Sequence, residues 1–165
     1  MPESRLAAAL GDLRQRDVQF IVVGGVAAVL NGAPLQTFDI DLVYSREPAN
    51  IERLLGFLHD ADAIFRAQPE RLLRPTASHL AGSGHLNLLT RYGPMDLLAT
   101  IGSSLDYAEL LGRSIEMDID EGIAVRVLDL ETIIAVKELI GSEKDRAVLP
   151  VLHETLKMSR KRKPE

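Results

Sequence analysis

Two aspartates, Asp39 and Asp41, lie one residue apart in a segment that is otherwise apolar, residues 38–44. Residues at positions i and i+2 of a β-strand point to the same face, so the two carboxylates would lie side by side. Burying two acids costs free energy unless they are paired or hold a metal ion. Because Mg²⁺ and Mn²⁺ favour carboxylate oxygens together with substrate phosphates, the pair predicts a metal site for phosphate chemistry. The alternative is a strand end at which both aspartates face water.

A pair of glycines, Gly24 and Gly25, separates a predicted strand from a predicted short helix. Glycine allows a backbone to approach a ligand closely, and the free N–H groups at the start of a helix attract phosphate. A tight turn with positive φ is the alternative interpretation. The dinucleotide fingerprint needs glycines at its first, third and sixth positions, and counting from either glycine fails to find them. A Walker loop is also excluded, because the sequence contains no Gly-Lys-Ser/Thr.

A third carboxylate, Asp96, lies in another apolar segment, residues 93–98. If its strand pairs beside Asp39 and Asp41, three carboxylates converge, which is typical of two-metal phosphoryl transfer. Asp96 could also accept the proton of the attacking group, as a general base does. The alternative is a hairpin residue whose side chain binds the backbone of the turn.

Hydrophobic periodicity predicts the elements that would position these side chains. Strands are predicted at 18–23, 37–44, 85–90, 95–99 and 123–127, with two short ones at 64–65 and 72–73. Helices are predicted at 3–16, 26–30, 48–59, 106–112, 130–140 and 144–158. Strands interspersed with helices indicate an α/β (α+β) fold, a mixed β-sheet flanked by helices. We expect a single domain over residues 1–158 and a basic, disordered tail at 159–165.

The composition excludes several classes of protein. A net charge of −5 argues against a protein that coats nucleic acid non-specifically, and the absence of cysteine excludes disulfides and thiolate sites. The sequence has no apolar run of membrane-spanning length and does not begin like a signal peptide, so we expect no membrane association and a cytoplasmic location. The four histidines lack zinc-ligand spacing. Of these, His85 is interpreted as structural, with a place in the pocket lining as the alternative.

Together these patterns resemble the nucleotidyltransferase superfamily, whose fold is shared by DNA polymerase beta. The residues that carry the resemblance are Gly24, Gly25, Thr37, Asp39, Asp41 and Asp96. The closer resemblance is to small bacterial members, including nucleotidyltransferase toxins of toxin–antitoxin and abortive-infection systems. Residues 127–137, followed by Lys144-Asp145, are similar to the closing segment of such proteins.

The resemblance implies transfer of a nucleoside monophosphate from a nucleoside triphosphate to an acceptor (RNA, protein or small molecule), with release of pyrophosphate. It implies Mg²⁺ or Mn²⁺ as cofactor, and an antitoxin or other helical protein as partner. The implied metal ligands and catalytic residues are Asp39, Asp41 and Asp96. The implied substrate-binding residues are Gly24, Gly25, Thr37, Lys137 and Lys144.

Two departures from the family pattern support a second hypothesis. Many active relatives carry serine where this chain has Gly25, and a basic residue where it has Leu35, Gln36 or Thr37. The retained acids favour catalysis. The departures favour a non-catalytic module that keeps the fold and binds a nucleotide or a partner protein.

Overall fold

The computed structural model describes residues 2–162, with side chains from residue 5 onward. Within that range the chain is a mixed α/β domain with a seven-stranded sheet and a separate two-stranded sheet. The helices are α1 Pro2–Gln15, α2 Gly24–Leu30, α3 Pro48–Asp60, α4 Ala77–Ala81, α5 Tyr107–Leu111, α6 Leu130–Ile140 and α7 Glu143–Arg162. The strands are β1 Phe20–Val23, β2 Ile40–Tyr44, β3 Ile64–Phe65, β4 His85–Thr90, β5 Gly93–Leu98, β6 Thr100–Ile101, β7 Leu105–Asp106, β8 Ser114–Asp120 and β9 Ile123–Leu128.

The large sheet has the order β3-β4-β5-β2-β1-β9-β8. Neighbouring strands are antiparallel except for two parallel pairs, β2 with β5 and β1 with β9. All four residues of β1 are buried, as expected for an apolar strand at the centre of a sheet covered on both faces. The predicted fold class, a mixed sheet flanked by helices, is therefore confirmed.

The helices form two packing groups around this sheet. In one group, α1 contacts α3 and β9, and it buries Leu10 and Leu13 completely. In the other, α2 contacts β1, β2 and α6, and α6 contacts α7. The outer part of the sheet is covered on one face only, because β4 alternates exposed and buried side chains along its length. One face of the sheet therefore stays open at β4.

Several element boundaries differ from those predicted from sequence. Strand β2 begins at Ile40 rather than at 37, and Phe38 before it is 80% exposed. Leu72 ends a short 3₁₀ turn in the left-handed conformation, so residues 72–73 do not form the predicted strand. Helix α7 continues through 159–162, which were expected to belong to a disordered tail, and residues 163–165 lie outside the described residues. In residues 2–162, helices that combine the length and apolar character needed to cross a bilayer are absent.

Candidate active site

One row of residues crosses the sheet from the buried strand β1 to β4, where one face is open. Val23 lies opposite Asp41, Asp41 opposite Asp96, and Asp96 opposite Asn87. Residues directly opposite one another share a face of the sheet, so Asp41 and Asp96 are side-by-side neighbours. The parallel pairing of β2 with β5 thus brings together two carboxylates that are far apart in the sequence.

Asp41 is the least satisfied polar side chain of this row. Its Oδ1 atom is buried and, among the described residues, has no hydrogen-bond partner. The pKa of Asp41 is raised to about 7, first by burial and then by Asp96 and the charge of Asp39, against a weaker opposing effect of Lys137. An orphaned carboxylate oxygen beside other carboxylates favours a cation, and oxygen donors suit a hard divalent ion. These residues therefore fit Mg²⁺ or Mn²⁺.

Asp39 approaches Asp41 from a loop rather than from the same strand. It lies just before β2 and is half-buried, and Thr37 Oγ1 donates a hydrogen bond of 3.5 Å to its backbone oxygen. The prediction that Asp39 belongs to the same strand as Asp41 is therefore wrong. Its charge nevertheless lies near enough to Asp41 to raise the pKa of that carboxyl.

Asp96 forms an ion pair with Arg66, a residue that no sequence pattern had indicated. Nη2 of Arg66 lies 2.8 Å from Oδ1 of Asp96, whose side chain is 17% exposed. Nη1 of Arg66 donates to the backbone oxygen of Leu88 at 2.9 Å, which fixes the guanidinium in place. The signal for Arg66 was its position directly after the short apolar strand β3.

The ion pair between Arg66 and Asp96 limits which of the three acids are free to bind a cation. Asp39, Asp41 and Asp96 are close enough for their charges to interact, as the pKa of Asp41 shows. Over the described residues, however, His, Asp and Glu side chains do not form any group of three arranged to hold one metal ion. Arg66 already supplies a positive charge to Asp96, so Asp39 and Asp41 are the carboxylates left for a cation.

Gly24 and Gly25 lack a side chain for different structural reasons. Gly24 has a φ of +67°, and a Cβ added there would overlap Asp41 Oδ2 and lie 3.0 Å from its Cγ. Gly25 is helical without positive φ, and a Cβ there would lie 2.9 Å from Oγ1 of Thr37. The positive-φ interpretation therefore applies to Gly24 alone, and its missing side chain makes room for the carboxylate of Asp41.

A cavity of about 320 Å³ opens beside Asp41 between the sheet and α6. Much of its wall is apolar, with Leu98 and Ile101 on one side and the side chains of α6 on another. Gly24, Asp41 and His85 contribute to its lining. His85 is exposed on β4, so its place in the pocket lining, the alternative considered from sequence, is what the structure favours.

The two lysines expected near the nucleotide are placed differently. Lys137 lines the cavity and forms a 3.1 Å ion pair with Asp145, which also lines it. Burial alone would raise the pKa of Asp145, but hydrogen bonds from Ser142 and Lys137 hold it below its ordinary value. Lys144 is exposed on α7 and is not part of the cavity wall. The structure therefore brings Lys137 to the acids and leaves Lys144 outside.

Comparison of the sequence with models of known protein families and with curated proteins finds no match. The residue pattern and the geometry around Asp41 are therefore the basis on which a function can be proposed.

Proposed function

We propose that this protein is a metal-dependent nucleotidyltransferase. It transfers a nucleoside monophosphate from a nucleoside triphosphate to an acceptor hydroxyl and releases pyrophosphate. The observation that carries the proposal is the carboxylate of Asp41, which has a buried, orphaned oxygen beside Asp96 at the edge of a cavity. A carboxylate in that state is stabilised by a cation, and a divalent cation is the usual companion of a triphosphate.

In this proposal Asp39 and Asp41 hold Mg²⁺ or Mn²⁺. When bound, the ion supplies positive charge to the phosphates and to the leaving pyrophosphate. Gly24 keeps the space next to Asp41 free of a side chain, so phosphate oxygens can approach the carboxylate. Lys137, on the cavity wall, supplies a second positive charge once it is released from Asp145.

The chemical step replaces a phosphoanhydride bond of the triphosphate by a phosphate ester bond to the acceptor. The acceptor oxygen forms a bond to the α-phosphorus, and the bond from that phosphorus to the oxygen bridging to the β-phosphate breaks. The electron pair of the broken bond leaves with pyrophosphate. Asp96 is the carboxylate available to accept the acceptor's proton, because Arg66 hydrogen-bonds its Oδ1 and orients the group.

A second candidate function is a module that binds a nucleotide without turnover, or pairs with an antitoxin-like partner. The ion pair of Arg66 with Asp96 favours it, because one of the three acids is already neutralised by the chain itself. Under this hypothesis the protein binds a triphosphate but does not transfer the nucleoside monophosphate.

The test uses triphosphates labelled at either the α- or the γ-phosphate, incubated with the protein and Mg²⁺ in cell lysate. RNA, protein and small-molecule fractions are then separated and counted. We expect α-label in one fraction and γ-label in pyrophosphate, with both signals lost in Asp41→Asn. Asp118→Asn, an exposed acid on β8, is the matched control. Binding of triphosphate without transfer supports the second candidate, and equal transfer by Asp41→Asn contradicts the proposed site.

A further inference from the structure

A second cavity, of about 540 Å³, lies at the other end of β1 from the acids. Phe20, the first residue of β1, lines this cavity, whereas Val23, the last, lines the cavity beside Asp41. Three residue steps along a strand separate the two ends by about 10 Å. The second cavity is therefore a separate site, and its binding chemistry does not depend on the proposed function.

Three arginines from three different elements line this cavity. Arg14 comes from α1, Arg53 from α3 and Arg126 from β9. Nε of Arg14 donates to the backbone oxygen of Ala124 at 3.0 Å, and Nε of Arg53 donates to that of Asp17 at 3.1 Å. These bonds fix both side chains through Nε and leave the terminal nitrogens available to a ligand.

The arginines are not neutralised by the acids that share the cavity wall. Among residues 5–162, the ion pairs within 4.0 Å do not include Arg14, Arg53 or Arg126. Glu116 lies directly opposite Arg126 in the β8–β9 register and still does not form such a pair. Like charges that converge without forming ion pairs repel one another, and a bound anion relieves that repulsion.

Tyr107 also lines this cavity, and its hydroxyl is under the influence of two of these charges. Burial raises the pKa of its hydroxyl, and the charges of Arg126 and Arg14 oppose that rise. All three side chains therefore belong to one electrostatic environment in the cavity wall. The Tyr107 side chain also gives the cavity a donor group and an aromatic wall.

We propose that this arginine cavity binds a small molecule that carries a phosphate or pyrophosphate group. Guanidinium forks match phosphate oxygens in geometry, and several of them suit a doubly charged anion. The cavity is concave and within the size range of small-molecule sites. A nucleic-acid strand fits less well, because the chain has a net charge of −5 and the three arginines line a single concave cavity.

The test is calorimetric titration with inorganic phosphate and with pyrophosphate, at constant ionic strength and without divalent cations. We expect both to bind the natural protein, and the double variant Arg14→Gln/Arg126→Gln to bind at least tenfold more weakly. Arg113→Gln, an exposed arginine outside the cavity, is the matched control. Asp41→Asn should bind phosphate normally, which separates this result from any failure of the proposed function.

Glu116→Gln tests the cavity in the opposite direction. It removes a negative charge from the cavity wall, so phosphate affinity should rise about threefold. If the double arginine variant does not fold, this variant alone tests whether the cavity binds phosphate. Absence of binding at millimolar phosphate and pyrophosphate would overturn the proposal, as would unchanged affinity in the arginine or Glu116 variants. A single-stranded oligonucleotide that binds more tightly than pyrophosphate, with steep salt dependence, would overturn it in favour of a nucleic-acid surface.

Discussion

The protonation state of Asp41 determines the electrostatics of the candidate active site. Its carboxylate is held against Gly24 in a partly buried place, with Asp96 beside it and one oxygen unpartnered among the described residues. Folding therefore favours the protonated acid up to about neutral pH, and a cation that approaches the carboxylate favours the charged form. A proton and a metal ion therefore compete for the same carboxylate. The effects of pH and of metal binding can thus both be measured through substitution of Asp41.

Stability should fall as the pH rises, because of Asp41. Its pKa is raised from an ordinary 3.8 to about 7, so its contribution is fully present below pH 3.8 and is lost as the pH passes through about 7. The resulting loss of unfolding free energy is about 4 kcal/mol at most. Urea unfolding at pH 5 and pH 8 should show this loss in the natural protein and a flatter profile in Asp41→Asn. The exposed Asp118→Asn should keep the natural profile, and an unchanged slope in Asp41→Asn would contradict the assignment.

Arg66→Gln should strengthen binding of a divalent cation. The substitution removes the positive charge that pairs with Asp96 at 2.8 Å, so the acids present more uncompensated negative charge. Mn²⁺ affinity, followed by electron paramagnetic resonance, should rise several-fold, while stability without metal falls by about 1–3 kcal/mol because the largely buried carboxylate of Asp96 loses its partner. Arg74→Gln, which breaks a looser 3.7 Å surface pair with Asp62, is the control. Equal or weaker Mn²⁺ binding by Arg66→Gln would show that Arg66 does not compete with the ion.

At the scale of elements, the sequence predicts the strands that carry the acids better than it predicts their partners. The apolar runs around Asp41 and Asp96 identify β2 and β5, but only the folded sheet reveals that they pair in parallel with these two residues opposite. Arg66 follows a two-residue strand, too short for periodicity to place its side chain. Strand β8 was missed although Ile115, Met117 and Ile119 alternate with acids, because so many charges weaken an apolar signal.

The turn between β1 and α2 should tolerate no side chain at Gly24. Two costs combine there, because φ is +67° and the new Cβ would overlap the carboxylate of Asp41. Gly122 provides a matched control, since its φ is +77° and an added Cβ would meet open space. Gly122→Ala should lose about 1 kcal/mol of unfolding free energy, and Gly24→Ala clearly more. Equal losses in denaturant unfolding would mean that the carboxylate moves aside freely.

Gly25→Ser tests the neighbouring position, where the backbone is not strained. The added Cβ would lie 2.9 Å from Oγ1 and 3.1 Å from Cβ of Thr37, so Thr37 has to shift by a few tenths of an ångström to make room. We therefore expect a stability loss below that of Gly24→Ala, and tighter binding of a non-hydrolysable triphosphate if phosphate lies at this turn. Unchanged affinity together with lost stability would remove Gly25 from the phosphate site.

At the scale of the whole molecule, one ligand site would join parts of the chain that are distant in sequence. The cavity beside Asp41 is lined by residues of both sheets and of one helical group, namely β1, α2, β2, β4, β5, β6, β9, α6 and α7. A ligand that contacts all of them stabilises their mutual arrangement and leaves the unfolded chain unaffected. Binding should therefore appear as a rise in the melting temperature of the entire domain.

Mg²⁺ together with a nucleoside triphosphate should raise that melting temperature more than either alone, because the acids bind the ion and the ion binds the phosphates. A free ligand concentration about one hundred times the dissociation constant would add about 2.7 kcal/mol to the unfolding free energy. Asp39→Asn/Asp41→Asn should abolish the rise and leave the ligand-free protein as stable or more so, since the charge repulsion that raises the pKa of Asp41 is removed. Asp118→Asn should respond as the natural protein does. A rise that persists in the double variant would place the triphosphate elsewhere, and the phosphate titration of the arginine variants would then show whether the second cavity holds it.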